Sequence, residues 1–209
     1  MNRARRIGIF GGTFDPPHIA HQILAAEAAD QLDLEVVLWV LTPDPPHKPN
    51  QTITPLQVRI RMVDAAIKAN SNFELSRVEI DRPAPHFAVD TVKLLRERYP
   101  GADLVYLIGG DSLHDLPTWH TPQAFVDSCD QLGVMDRPGE RVDFTELEVI
   151  IPGMTGKVRF IDTPLIEISS SYVRNQVAFG KPYRYYIPEE VYQIIISEGL
   201  YQLINSDGL

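Results

Sequence analysis

Short apolar runs alternate with amphipathic stretches along the whole chain. Ile7-Gly8-Ile9-Phe10, Glu35 to Leu41, Asp103 to Ile108, Gln131 to Met135 and Val158 to Ile161 predict buried strands, several dense in β-branched and aromatic residues. Phe73 to Ile80 alternates apolar with polar and predicts another strand. Helical spacing marks Ala20 to Leu32, Leu56 to Ala69, Ala88 to Tyr99, Gln123 to Cys129, Ser170 to Phe179 and Pro188 to Glu198, the last with proline in its first turn. In the second of these, Val58, Met62, Ala65, Ala66 and Ala69 fall on one side. Phe144 to Ile151 fits either period. The four prolines between Thr42 and Thr54 predict a loop, and Gly109-Gly110 stops the third apolar run. Strands and helices in this rhythm predict an α/β fold: a Rossmann-like, doubly wound, mostly parallel sheet with helices on both faces and a small C-terminal helical part. With no internal repeat, low-complexity segment or linker, residues 1–209 read as one domain.

Composition narrows the function classes. The net charge of −9 opposes the balance expected of a protein that coats a nucleic-acid polymer. Phosphate binding must come from a focused site. The single cysteine, Cys129, cannot form an internal disulfide and reads as a small buried apolar residue. The basic start, Met1 to Arg6, is followed by too short an apolar run for a signal peptide, and no run approaches membrane-spanning length. A soluble cytoplasmic protein with no membrane contact is expected. The oligomeric state is not encoded in any feature of the chain, and a homo-oligomer is compatible with it.

The chemistry concentrates in Gly11-Gly12-Thr13-Phe14-Asp15-Pro16-Pro17-His18-Ile19-Ala20-His21, between the first strand and the first helix. In an open α/β sheet that junction is where a phosphate-bearing ligand is held. Glycines there admit close approach of backbone N–H groups, and the helix directs its positive end to the same place. His18 and His21, three apart, share a helix face and can donate to phosphate oxygens or stabilise charge developing in a transition state. Capping and packing are the bland alternative, and a metal role would need further ligands. A second group, Ile168-Ser169-Ser170-Ser171-Tyr172-Val173-Arg174, offers serine hydroxyls at a helix start and an arginine on the first turn. It suits either capping or an anion. No P-loop is present: Gly153-Met154-Thr155-Gly156-Lys157 has the wrong spacing and lacks the magnesium-holding hydroxyl. The first turn does not match the dinucleotide fingerprint, and no Gly-x-Ser-x-Gly elbow occurs.

Gly11 to His21 resembles the nucleotidyltransferase signature Gly-Gly-x-Phe-Asp-Pro-x-His-x-Gly-His, and Ile168 to Arg174 resembles its partner, Ile-Ser-Ser-Thr-x-x-Arg. More narrowly, the chain is similar to the bacterial nicotinate mononucleotide adenylyltransferases. That match also uses Pro45-Pro46-His47-Lys48, Gly109 to Leu113, Pro117-Thr118-Trp119, Arg137-Pro138-Gly139 and Glu198 to Tyr201. The resemblance implies transfer of AMP from ATP to a pyridine mononucleotide by in-line attack of the acceptor phosphate, without a covalent enzyme intermediate. A phosphate nucleophile is already ionised and needs little general-base help. The resemblance also implies catalytic roles for His18, His21 and Arg174. It implies ATP contacts from Gly11, Gly12, Thr13, Asp111, Ile168, Ser169 and Ser170, and magnesium arriving with ATP rather than in a protein cage. On the acceptor side it points to Trp119 against the pyridine ring, to His47, Lys48 and Arg137 near the acceptor phosphate, and to the segment at Ala88. Asp111 could equally be a helix cap, Trp119 a core residue and Lys48 a solvated charge.

Four departures from the family pattern stand out. Ala20 replaces glycine between the histidines, Ser171 replaces threonine, and His120 stands where tyrosine is common. Pro85-His86-Phe87-Ala88 replaces Pro-Ser-Tyr-Thr, and the threonine lost at Ala88 is one that helps hold the nicotinate carboxylate in the family. Preference for the acid over the amide mononucleotide is therefore an expectation to test. The rival readings are a relative acting on pantetheine phosphate or using CTP, and a nucleotide-binding module without catalysis.

Overall fold

The computed structural model describes residues 5–45, 52–135 and 144–203. Six strands form one parallel sheet: β1 (Arg6–Gly12), β2 (Val36–Leu41), β3 (Phe73–Ser76), β4 (Asp103–Gly109), β5 (Gln131–Met135) and β6 (Val158–Ile161). Their order across the sheet is β3-β2-β1-β4-β5-β6. The chain thus builds outward in one direction from β1 and then returns to build in the other. Between β1 and β4 lies the switch point at which open α/β sheets leave a crevice outside their carboxyl ends.

The helices are α1 (Ile19–Gln31), α2 (Leu56–Ile67), α3 (Ala88–Arg98), α4 (Gly110–His114), α5 (Pro122–Ser128), α6 (Phe144–Ile150), α7 (Met154–Lys157), α8 (Ser170–Ala178) and α9 (Glu189–Ser197). Alternate residues of β2 divide between the two faces, as a strand buried on both sides requires. Val36, Leu38 and Val40 join α3, α5 and α6 residues in one core. Val37, Trp39 and Leu41 join α1 and α2 in the other. The face of α2 read from sequence also carries a third cluster: Val58, Met62 and Ala66 meet Val173 and Val177 of α8 and Val191 and Ile195 of α9. That cluster fixes the C-terminal helices against the mouth of the sheet. No helix among the described residues is long and apolar enough to cross a membrane.

The α/β reading holds, with local corrections. The strand expected to reach Ile80 ends at Ser76, and residues 78–81 form a turn outside the ladder. Pro188 is the N-cap of α9 rather than a first-turn residue. Phe144 to Ile150 resolves as helix, burying Leu147 while Val149 stays exposed. The short helices α4 and α7 carry too few turns to leave a periodic signal.

Candidate nucleotide site at the carboxyl end of the sheet

Gly11 and Gly12 are the last residues of β1, paired with Val40 and Leu41. Their lack of a side chain has a packing cause. A Cβ on Gly11 would lie 2.9 Å from the Tyr106 hydroxyl, and one on Gly12 would lie 2.8 Å from the Phe14 ring. Phe14 takes φ +47, sparsely populated for a residue with a side chain, and is held there by burial. Its ring centroid lies 5.0 Å from that of Trp39 and 5.1 Å from that of His21.

This turn delivers the chain into α1 with His18 at the N-cap. The His18 and His21 rings stack, centroids 3.6 Å apart and planes 25° from parallel. The backbone N–H of His18 donates to Nδ1 of His21 at 3.1 Å, which leaves the His21 ring proton on Nε2. His18 is only 5% exposed, and burial lowers its pKa from 6.5 to about 4, so the ring is neutral at pH 7.

The second motif lies against the first. Ser170 Oγ donates to the Pro16 carbonyl at 2.9 Å, and Arg174 Nη1 donates to the Asp15 carbonyl at 2.7 Å. Ser169 is the N-cap of α8, its Oγ accepting from the Tyr172 N–H at 3.1 Å. The capping reading is thus correct for Ser169. Arg174 Nη2 donates to Ser171 Oγ at 3.0 Å. Ile168 is half-buried against the α2–α8–α9 cluster. The amino ends of α1 and α8 therefore converge, with two imidazoles and one guanidinium, at the carboxyl end of β1. Backbone N–H groups and helix dipoles at such a place favour an anion.

The acceptor-side candidates gather across β4. Trp119 is half-buried, its ring centroid 6.2 Å from Tyr106 and 5.1 Å from Phe125. Phe87, the N-cap of α3, stacks on His120 at 3.9 Å and 16°, which brings the segment of Ala88 beside that of Trp119. Tyr106 bridges the halves: its hydroxyl meets Gly11 and its ring meets Trp119. Asp111 is exposed in the first turn of α4, where Oδ1 accepts from the Ser112 N–H at 2.8 Å. The N-cap itself is Gly109, so the cap alternative for Asp111 is off by two residues.

Comparison with known proteins bears on this arrangement. The family model described as cytidylyltransferase-like matches residues 9–176. A protein of Thermomicrobium roseum named "Probable nicotinate-nucleotide adenylyltransferase" is 43% identical over 190 residues, covering 91% of this chain and 88% of that one. The nicotinate-nucleotide adenylyltransferase of Bacillus subtilis is 37% identical over 187 residues, covering 90% of this chain and 93% of that one. The chain belongs to the nicotinate-nucleotide adenylyltransferase family. Its fold is shared with a solved Plasmodium falciparum nicotinic acid mononucleotide adenylyltransferase complexed with NaAD, at a TM-score of 0.76 and 21% identity. That match covers 94% of this chain and 97% of that one.

Not every family-derived position can be placed. His47, Lys48 and Arg137 lie outside the described residues. An open cleft of about 640 Å³ lined by Arg5, Asp30, Asp33, Asn70 and Asn72 sits at the opposite end of the sheet, away from the described candidate residues.

Sequence reasoning missed Arg59. Only 2% exposed, it donates to the carbonyls of Thr54 (2.9 Å), Thr13 (3.1 Å), Thr42 (2.8 Å) and Pro43 (2.7 Å). One guanidinium thus ties the loops after β1 and β2 to the start of α2. It also missed a buried polar group behind Ala88, where Thr91 Oγ1 donates to Glu79 Oε1 at 2.5 Å and the Arg82 guanidinium reaches the Pro85 and Phe87 carbonyls. An arginine next to the apolar face of α2 was the available signal for Arg59. The Glu79 group left none.

Proposed function

We propose that this chain transfers the AMP moiety of ATP to nicotinate mononucleotide, forming the acid dinucleotide and pyrophosphate. The observation that carries the reading is the convergence of the α1 and α8 amino ends with His18, His21 and Arg174 beside β1. Among the described residues this anion site carries no Ser or Cys paired with a base as an activated nucleophile. Such a site suits in-line displacement between phosphates, where positioning and charge neutralisation do most of the catalysis.

In this reading the triphosphate lies across the amino ends of both helices. Nε2–H of His21 and the neutral ring of His18 donate to phosphate oxygens, and Arg174 faces the leaving pyrophosphate. The N–H groups of Gly11, Gly12 and Thr13 line the α-phosphate, with Ser169, Ser170 and Ile168 opposite. Asp111 accepts from ribose hydroxyls. The acceptor ring lies on Trp119 near Ala88, with His47, Lys48 and Arg137 assigned to its phosphate.

Among the described residues no three His, Cys, Asp or Glu side chains are grouped to hold a metal ion. A divalent ion of the magnesium type is assigned to the phosphates of ATP, where it would neutralise charge on the leaving group. His21→Ala and Arg174→Ala test the assignment. Each should lower kcat by about 100-fold or more, as loss of a preorganised donor does, an effect far larger than the accompanying loss of stability. A collapse of the midpoint with normal kcat in the folded fraction would return both residues to a structural role.

A further inference from the structure

Tyr201 lies beyond residue 176, outside the segment the family model matches, and yet it reaches the first motif. Its hydroxyl donates to Asp15 Oδ1 at 2.6 Å, the length expected of a charge-assisted bond to a carboxylate. The other oxygen, Oδ2, accepts from the Thr54 N–H at 3.1 Å. Asp15 is 4% exposed, so these donors stand in for water around a buried charge. The same residue's carbonyl takes the 2.7 Å bond from Arg174.

We infer that Tyr201 is a positioning residue for the donor site: it fixes the Asp15 carboxylate, and Asp15 through its own carbonyl fixes the guanidinium of Arg174. This rests on the assignment of Arg174 to the triphosphate.

The chain holds Tyr201 in place at some conformational cost. Its φ is +62, left-handed for a residue with a side chain, and it follows Gly199 at φ +60. Three tethers oppose that cost. Leu200 and Tyr201 pack against the α2–α8–α9 cluster. Arg61 of α2 pairs with Glu198 just before the turn. The Tyr201 phenol is held neutral, its pKa pushed up by burial and by the Asp15 charge, so it remains a donor at every pH the enzyme meets. Arg59 adds a positive charge near the Asp15 carboxylate, which is one of the charges acting on its guanidinium. The end of the chain thus sets the orientation of the arginine that α8 carries into the site.

A hydroxyl serving only stability would cost the same whether or not Arg174 is present. One acting through Arg174 would not. The test is a double-mutant cycle of Tyr201→Phe with Arg174→Ala, read on the Kd of magnesium-ATP by calorimetry and on kcat/KM for ATP. In the wild-type background, Tyr201→Phe should weaken both by about tenfold, the scale of one charge-assisted hydrogen bond, with the acceptor KM unchanged. In the Arg174→Ala background it should change them by less than about twofold. Equal effects in both backgrounds, or none in the wild type, overturn the inference. Asp15→Asn, which keeps the shape and one acceptor oxygen, repeats the cycle if Tyr201→Phe does not fold. A wild-type chain that binds ATP but makes no dinucleotide would refute the proposed reaction, while the cycle on Kd would still judge Tyr201.

Discussion

Acidification should charge His18, and the protein should lose stability as it does. In the unfolded chain the imidazole titrates near 6.5, and in the folded chain burial holds it to about 4. Between those values the unfolded state binds more protons than the folded one, so the free energy of unfolding rises with pH. The contribution is therefore complete above pH 6.5 and is lost as the pH falls toward 4. Separating the two values is worth about 3 kcal/mol in full, of which about 1.4 kcal/mol is gone by pH 5.5. Urea unfolding at a series of pH values, in parallel with His18→Asn, isolates the residue from the carboxylates that titrate in the same range. The wild type should lose about 3 kcal/mol more than the variant between pH 7.5 and pH 4. In NMR the His18 ring should titrate near 4 in the free protein and higher with magnesium-ATP bound, since nearby negative charge favours the imidazolium. Parallel stability curves, or a free-protein titration near 6.5, would show that His18 is not buried in the turn as described.

Two further outcomes follow from buried groups. Arg59→Met should cost about 3–5 kcal/mol, because four carbonyls lose a desolvated charged donor, and should raise the KM for ATP even well below the unfolding midpoint. Chemical denaturation and steady-state kinetics read the two effects. A substitution without effect would mean that the two loops and the start of α2 hold themselves. Burial pushes the Cys129 thiol up to about 12, so a disulfide reagent at pH 8 should label it only in denaturant, and prompt labelling of the native protein would contradict its place in the core.

The sheet was legible because its strands are buried on both faces, and such strands are written as continuous apolar runs. β5 and β6 begin and end where those runs do. β3 was overextended because Val78 and Ile80 keep the alternation going after the chain has turned, and both side chains return to pack on the cores. For the candidate site, the residues that gather at the carboxyl end of β1 were visible as motifs, since glycines, histidines and serines cluster there in sequence. The residues that brace them were not. Arg59 acts through backbone carbonyls, the Glu79–Thr91 pair through a side-chain bond across 12 residues, and Tyr201 by reaching Asp15 across 186 residues, and no spacing rule encodes such contacts. The pairing of Phe87 with His120 was equally hidden, although both positions stood out singly as departures from the family pattern.

The same two positions flank Ala88 and Trp119, to which the proposed reaction assigns the choice of acceptor. Product analysis with ATP, magnesium and each mononucleotide in turn therefore tests the central claim most directly. Nicotinate mononucleotide should give equal amounts of dinucleotide and pyrophosphate, with a higher kcat/KM than the amide. Pyrophosphate without dinucleotide, or ATP binding with no turnover of either acceptor, would contradict it.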